Sequence, residues 1–299
     1  MTDPSNSNIQ KLIVEILARK EHVDHLAQKI RTPESLAKFD KRNARSWCIA
    51  VAGDVLIRVR LFIEQNFKVV ETVGVIAVAR YLLELNIWMS LFRLDENYGL
   101  VYFGELLDTQ RRFYTDTLAQ VEREIAFLEL LEMRERAALT ETHNSGDNRR
   151  DMVVKDKLAS DQIDKEATRH FSIYARAALT NGYGFQAHLV RTKALPKTKE
   201  ALTMVEMEKR GFEESIAPDV RKLIPNRWQW RPMANKVGLV EEYDYVYSFA
   251  SKLLHATPAS ITTDSKSLEM PELEMFLKYI VVKIDDLIAL AAVYVQAAG

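Results

Sequence analysis

The chain has 299 residues, 47% hydrophobic and 28% charged, which excludes a disordered or collagen-like polymer and is enough for one large core or two smaller ones. Lys plus Arg (41) nearly balances Asp plus Glu (42), so no whole-chain field draws the protein to nucleic acid or an anionic membrane, and any polyanion site has to be local. The single cysteine, Cys48, excludes an internal disulfide, and the opening MTDPSNSNIQ lacks the basic and apolar regions of a signal peptide, so the cytoplasm is the expected compartment.

Only 10 glycines and 8 prolines are present, and long stretches lack both, which does not suit many short strands joined by tight turns. An all-α chain is predicted. The first helix starts after Pro4 and Ser5 and carries Ile9, Leu12, Ile13, Ile16 and Leu17 on one stripe. Thr32 to Ser35 (TPES) is a fresh start, with Thr32 as N-cap and Pro33 at the first helical position, opening a second helix to about Gln65. Residues 69–92 are apolar nearly all round, so this helix is either buried in protein or spans a bilayer. Arg80, Glu84 and Asn86 sit mid-span, and ionised groups at that depth are costly in lipid, so the central helix of a bundle is expected and no membrane partner.

From Leu106 to about Leu139 the pattern narrows to a seam of Leu118, Val121, Ile125 and Leu128. Glu122, Arg123, Glu124, Glu129, Arg134, Glu135 and Arg136 supply charged outer faces. HNSGDNRR (143–150) breaks it, and Val153 to Leu179 gives a second stretch with Leu158, Ile163, Ala167, Phe171, Tyr174 and Ala178 inside. NGYG (181–184) is the next breaker, followed by a segment with Pro196, Gly211, Pro218, Pro225 and Pro232. Two helices close the chain, at about Val240 to Ala256 and Pro271 to Ala298, the latter with a stripe of Leu273, Phe276, Leu277, Ile280, Val281, Ile284, Leu287 and Ile288. The expected architecture is one helical domain over 1–299, a multi-helix bundle around the buried helix at 69–92. A long antiparallel helical hairpin protrudes at about 106–180, and an irregular segment with short helices occupies 185–238.

Tyr243, Tyr247, Ser251 and His255 recur every four residues, and each such step advances only about 40° around a helix. The ladder flanks the apolar arc of Val246, Phe249, Ala250 and Leu253 and so faces a seam between helices. Two readings fit: these groups satisfy one another and nearby carbonyls, or they line a site. Arg80 and Glu84 are also four apart, with Trp88 one step further. They pair with each other, or Glu84 orients a group on the ladder while Arg80 holds a phosphate or carboxylate.

NRWQWRP (226–232) interleaves Arg227, Trp228, Trp230 and Arg231, the composition that stacks on unpaired bases and touches phosphate, and equally that of a loop pinned by its tryptophans. The arginine pairs at 111–112 and 149–150 read as solvated. His22 and His25 read as an exposed helix face, and no Cys-x-x-Cys, His-Glu-x-x-His or glycine-rich phosphate loop is present, so no metal or cofactor is expected. Cys48 lies on an apolar stretch and reads as core.

ARYLLE (79–84), the tryptophan loop, and MANKVGL (233–239) followed by YDYVYSFASKLLHA (243–256) resemble a family of bacterial helical proteins. That family is marked by an Arg-x-x-x-Glu helix and a late Tyr-x-x-x-Tyr-x-x-x-Ser-x-x-x-His helix. The likeness covers roughly residues 40 to 135 and 225 to 260. The family is similar in turn to the HEPN superfamily (higher eukaryotes and prokaryotes nucleotide-binding), whose helical bundles include metal-independent ribonucleases of toxin, abortive-infection and CRISPR systems. The resemblance implies RNA cleavage or phage defence, a homodimer, and catalytic roles for His255, Arg80 and Glu84, with Tyr243, Tyr247 and Ser251 positioning substrate. Active members carry Arg-x4-6-His on one helix, whereas Ser248, Phe249 and Ala250 occupy those positions before His255. The alternative is a non-catalytic module of the same fold that binds a partner protein or nucleic acid through the hairpin or the tryptophan loop.

Overall fold

A computed structural model describes residues 4–68, 70–145, 162–254 and 267–295, and every described element is helical. The chain divides into two compact units, the first from residues 1–105 and 216–299 and the second from Leu106–Ser215. The first unit is a multi-helix bundle.

In the first unit, α1 (Pro4–Ala18), α2 (Lys20–Ile30), α3 (Pro33–Ala37), α4 (Ala44–Asn66), α5 (Thr72–Leu94) and the start of α6 (Tyr98–Ser145) come before the second unit. It then resumes with α11 (Pro218–Leu223), α12 (Trp230–Lys236), α13 (Val240–Leu254) and α14 (Met270–Ala292). Helix α5 packs against α4, α12, α13 and α14. It is long and apolar enough to cross a membrane, yet 67% of its most apolar window is buried by these neighbours. Ile76, Leu82, Leu83, Ile87, Met89, Leu91 and Phe92 are among its fully enclosed side chains. Asn86, also buried, donates to Leu82 O at 2.9 Å and Lys283 O at 3.1 Å, so its amide bridges α5 to α14.

Capping sets several boundaries. Thr32 Oγ1 accepts from Ser35 N at 3.1 Å with Pro33 in the first turn, as the TPES stretch predicts. The second helix does not run unbroken to Gln65, however. It stops at Ala37 and restarts at Ala44, where Asn43 Oδ1 accepts from Ser46 N at 3.1 Å. Asp40 Oδ1 accepts from Arg42 N within the intervening turn, so Asp and Asn side chains here outcompete helix continuation. In α1, Ile9, Leu12, Ile13 and Ile16 are buried, but Leu17 is exposed because α1 presents only a narrow face to α14. Glu269 and Glu272 form a reciprocal capping box at the start of α14.

In the second unit, the remainder of α6 shares a core with α7 (162–169), α8 (Ala175–Asn181) and α9 (Tyr183–Leu189), and α10 (Leu195–Ser215) follows. Ile125, Phe127, Leu128, Leu131, Ala167, Ala175, Ala178, Tyr183 and Val190 form its core. The break expected at 143–150 lies, beyond Ser145, outside the described residues, as do Leu158 and the Arg149–Arg150 pair. Three expectations are corrected. Glu124 is buried rather than on a charged face, because it accepts from Ser172 Oγ at 2.6 Å and Tyr174 N at 3.2 Å. Phe171 is 79% exposed rather than inside, since a left-handed turn (φ 52°) follows α7 and swings it outward. Within 185–238, the short helices α11 and α12 are present, but the 21-residue α10 precedes them as one long helix that was not expected. A π-helical turn at Val190–Ala194 widens the chain just ahead of Pro196, which lets a residue without an N–H enter a continuing helix.

Candidate functional site

The polar groups of α5 and the ladder of α13 meet along one helix–helix seam. Arg80 Nε donates to Glu84 Oε1 at 3.1 Å, and their side chains are 33% and 21% exposed. The same guanidinium lies over the Tyr247 ring, 5.2 Å from its centroid. Tyr247 in turn stacks on Tyr243, with centroids 5.3 Å apart and planes 19° from parallel. A half-buried cation is thus held by a carboxylate on its own helix and a two-ring stack on the neighbouring one. Among the described residues Arg80 forms no other hydrogen bond, so its terminal nitrogens are the donors open to an added anion.

Burial raises the Glu84 carboxyl above its ordinary range, while the hydrogen bond and charge of Arg80 pull it back. Burial likewise raises the Tyr243 hydroxyl, Tyr247 adds to the shift, and Arg80 opposes it. The site therefore disfavours extra negative charge on its own groups and holds a partly exposed cation among them. Neither a family model nor a curated protein nor a solved structure matches this chain.

Ser251 is half-buried one turn beyond Tyr247, and His255 lies outside the described residues. On the other side of Arg80 and Glu84, Trp88 stacks flat on Trp228 at 4.0 Å and 12°. Trp230 stands edge-on to both rings, at 6.3 Å from Trp88 and 5.4 Å from Trp228. These contacts pin the tryptophan loop to the bundle, and the ring face of Trp228 against Trp88 is already covered. Arg231 makes a paired bond to Asp244, Nε to Oδ1 and Nη2 to Oδ2, each at 2.8 Å. That bond holds the guanidinium further toward its charged form and lowers the Asp244 carboxyl. Arg227 is exposed.

A second polar cluster beside the ladder carries no motif in the sequence. Lys283 is buried on α14, with its ammonium 2.9 Å from Glu242 and 2.8 Å from Asp286. The Tyr279 hydroxyl donates to the same Glu242 at 3.0 Å. Burial opposes the charge on Lys283, but the bonds to Asp286 and Glu242 outweigh it and the ammonium is retained. Glu242 precedes Tyr243, so this cluster fixes the first turn of α13 and the angle at which the ladder meets α5. The one available signal was a lysine interrupting the apolar stripe between Ile280 and Ile284.

His22 and His25 are exposed, and among the described residues no three His, Cys, Asp or Glu side chains converge as a metal site would require. Cys48 is fully buried, its Sγ donating to Glu96 O at 3.5 Å, and burial pushes its thiol up to about 12. A core role follows, and a thiolate nucleophile does not.

Proposed function

We propose that the protein is an HEPN-like helical effector that acts on RNA in a prokaryotic defence or stress response, with the α5–α13 seam as its site. The observation that supports this is the convergence of Arg80, Glu84, Tyr243 and Tyr247 from stretches far apart in the chain onto one half-buried helix–helix seam. Arg80 binds the scissile phosphate through its terminal nitrogens. Glu84 and Tyr247 hold it in place, and Tyr243 and Ser251 position the ribose. His255 takes the proton of the 2'-hydroxyl. The resulting oxygen attacks phosphorus as the bond to the 5'-oxygen breaks, and that oxygen takes a proton from water, giving a 2',3'-cyclic phosphate without a metal. By the resemblance noted above, the active form is a homodimer.

The test expresses wild type, His255→Ala and Arg80→Gln and compares cell growth and total RNA integrity, with circular dichroism as the folding control. Wild type is expected to cleave RNA, with undiminished activity in a chelator, and both variants to lose that activity. Equal behaviour of three folded proteins overturns the reading.

The second reading is a non-catalytic module that binds RNA or a partner protein. It is favoured by Ser248, Phe249 and Ala250 standing where active relatives of the resemblance carry arginine, and by Arg80 being already engaged by Glu84. Retention of a single-stranded RNA in a gel shift, with the strand intact after prolonged incubation, distinguishes it.

A further inference from the structure

Helices α2, α3 and α4 line a half-open pocket of about 320 Å³, on different helices from the Arg80 seam. Its size falls in the range of small-molecule pockets. It exists because the chain does not continue as one helix after Thr32. The five-residue α3 buries none of its residues, and its neighbouring apolar side chains Leu36 and Phe39 are 54% and 39% exposed. A short helix closing over a core ordinarily buries its apolar side chains. Here Leu36, Phe39, Trp47 and Ala50 instead line an unfilled space. Phe39 and Trp47 meet edge to face, 5.1 Å apart at 83°, and so form an aromatic corner of the wall.

The charges on the wall are unequal. Arg31 lies flat across α4 at Gly53, where a Cβ would come within 2.6 Å of the arginine Cγ, and its guanidinium pairs with Asp54. Lys38, just past the end of α3, adds a second cation at the rim, and the Glu34 carboxylate one turn earlier, outside the lining, interacts with it. The lining residues themselves therefore carry one net positive charge on a mainly apolar, aromatic surface.

We propose that this pocket binds a small aromatic carboxylate, its ring against Phe39 and Trp47 and its carboxylate on Lys38 at the rim beside the Arg31–Asp54 pair. The site is independent of any action on RNA. Titration calorimetry of the intact protein with 3-phenylpropionate, 3-phenylpropanol and 3-phenylpropylamine tests it. The acid is expected to bind at one saturable site, at least tenfold more tightly than the alcohol or the amine. Ala50→Leu, which narrows the pocket, is expected to weaken the acid at least tenfold. Lys38→Gln, at an exposed position, is expected to reduce the acid several-fold and leave the alcohol unchanged. Leu36→Glu, also at an exposed position, blocks the mouth and provides the same readout if Ala50→Leu lowers the melting temperature. Failure of the acid to bind overturns the proposal. So does binding that survives both blocking variants, or an alcohol or amine that binds as tightly as the acid.

Discussion

Replacing Glu124 by alanine tests whether one buried carboxylate builds the turn at 170–174. Glu124 is 3% exposed, and its Oε1 accepts from both Ser172 Oγ at 2.6 Å and Tyr174 N at 3.2 Å. Ser172 Oγ also accepts from Ala175 N at 3.1 Å, so the carboxylate orients a hydroxyl that satisfies the first amide of α8. Hydrogen bonds to an ionised acceptor contribute about 1.5–3 kcal/mol each, and the longer backbone bond together with a half-buried hydroxyl places both near the lower figure. Glu124→Ala is therefore expected to weaken the turn by about 3 kcal/mol, and Ser172→Ala by about 2 kcal/mol, with the double variant falling short of the sum by about 1.5 kcal/mol because the two groups share a bond. Native-state hydrogen exchange at the Tyr174 and Ala175 amides reads this directly. Glu124→Ala is expected to accelerate both by about a hundredfold, with Leu83 in α5 unchanged as a reference. Rates within threefold of wild type, or fully additive single effects, refute the reasoning.

Phe171 holds φ at 52° with its ring 79% exposed, so Phe171→Gly removes backbone strain at little packing cost. It is expected to stabilise the protein to urea by about 0.5–1 kcal/mol, and a loss of stability refutes the assignment of strain. The folded Glu84 carboxyl sits above its ordinary value of 4.5, so as pH rises through that window the unfolded chain gives up its proton first and wild-type stability falls. Melting temperatures of Glu84→Gln and wild type are then expected to diverge in favour of the variant just above pH 4.5 and to run parallel at higher pH; the opposite slope contradicts a raised carboxyl. Cys48, fully buried with its thiol pushed up to about 12, is expected to resist a thiol reagent at pH 8 in the native protein and to react stoichiometrically in urea. Rapid native labelling excludes the core assignment.

Local periodicity made much of the fold legible. The stripe of Ile9, Leu12, Ile13 and Ile16, the Thr32 cap and the enclosed α5 each depend on residues within a turn or two of one another. The Arg80–Glu84 pair was legible for the same reason, since residues four apart on a helix are neighbours. The break after Ala37 was missed because hydrophobic spacing outweighed the turn-forming Asp40 and Asn43, and the pocket of about 320 Å³ was missed with it. The turn at 170–174 followed the same course, since Phe171 and Tyr174 fit a helical pattern that the chain abandons there.

By itself, the sequence determined that the chain is helical, which faces of most helices are apolar, and which polar residues share a turn. Only the tertiary structure decided that Arg80 lies over Tyr247, that Glu124 and Lys283 are enclosed, and that Trp228 spends a face on Trp88. The physical reason is that a charge can be buried only where remote segments supply its hydrogen-bond partners. Ser172 and Tyr174 do so for Glu124, and Glu242 with the local Asp286 does so for Lys283. Helical spacing shows which way a side chain points along its own helix, but not what the rest of the chain brings to meet it.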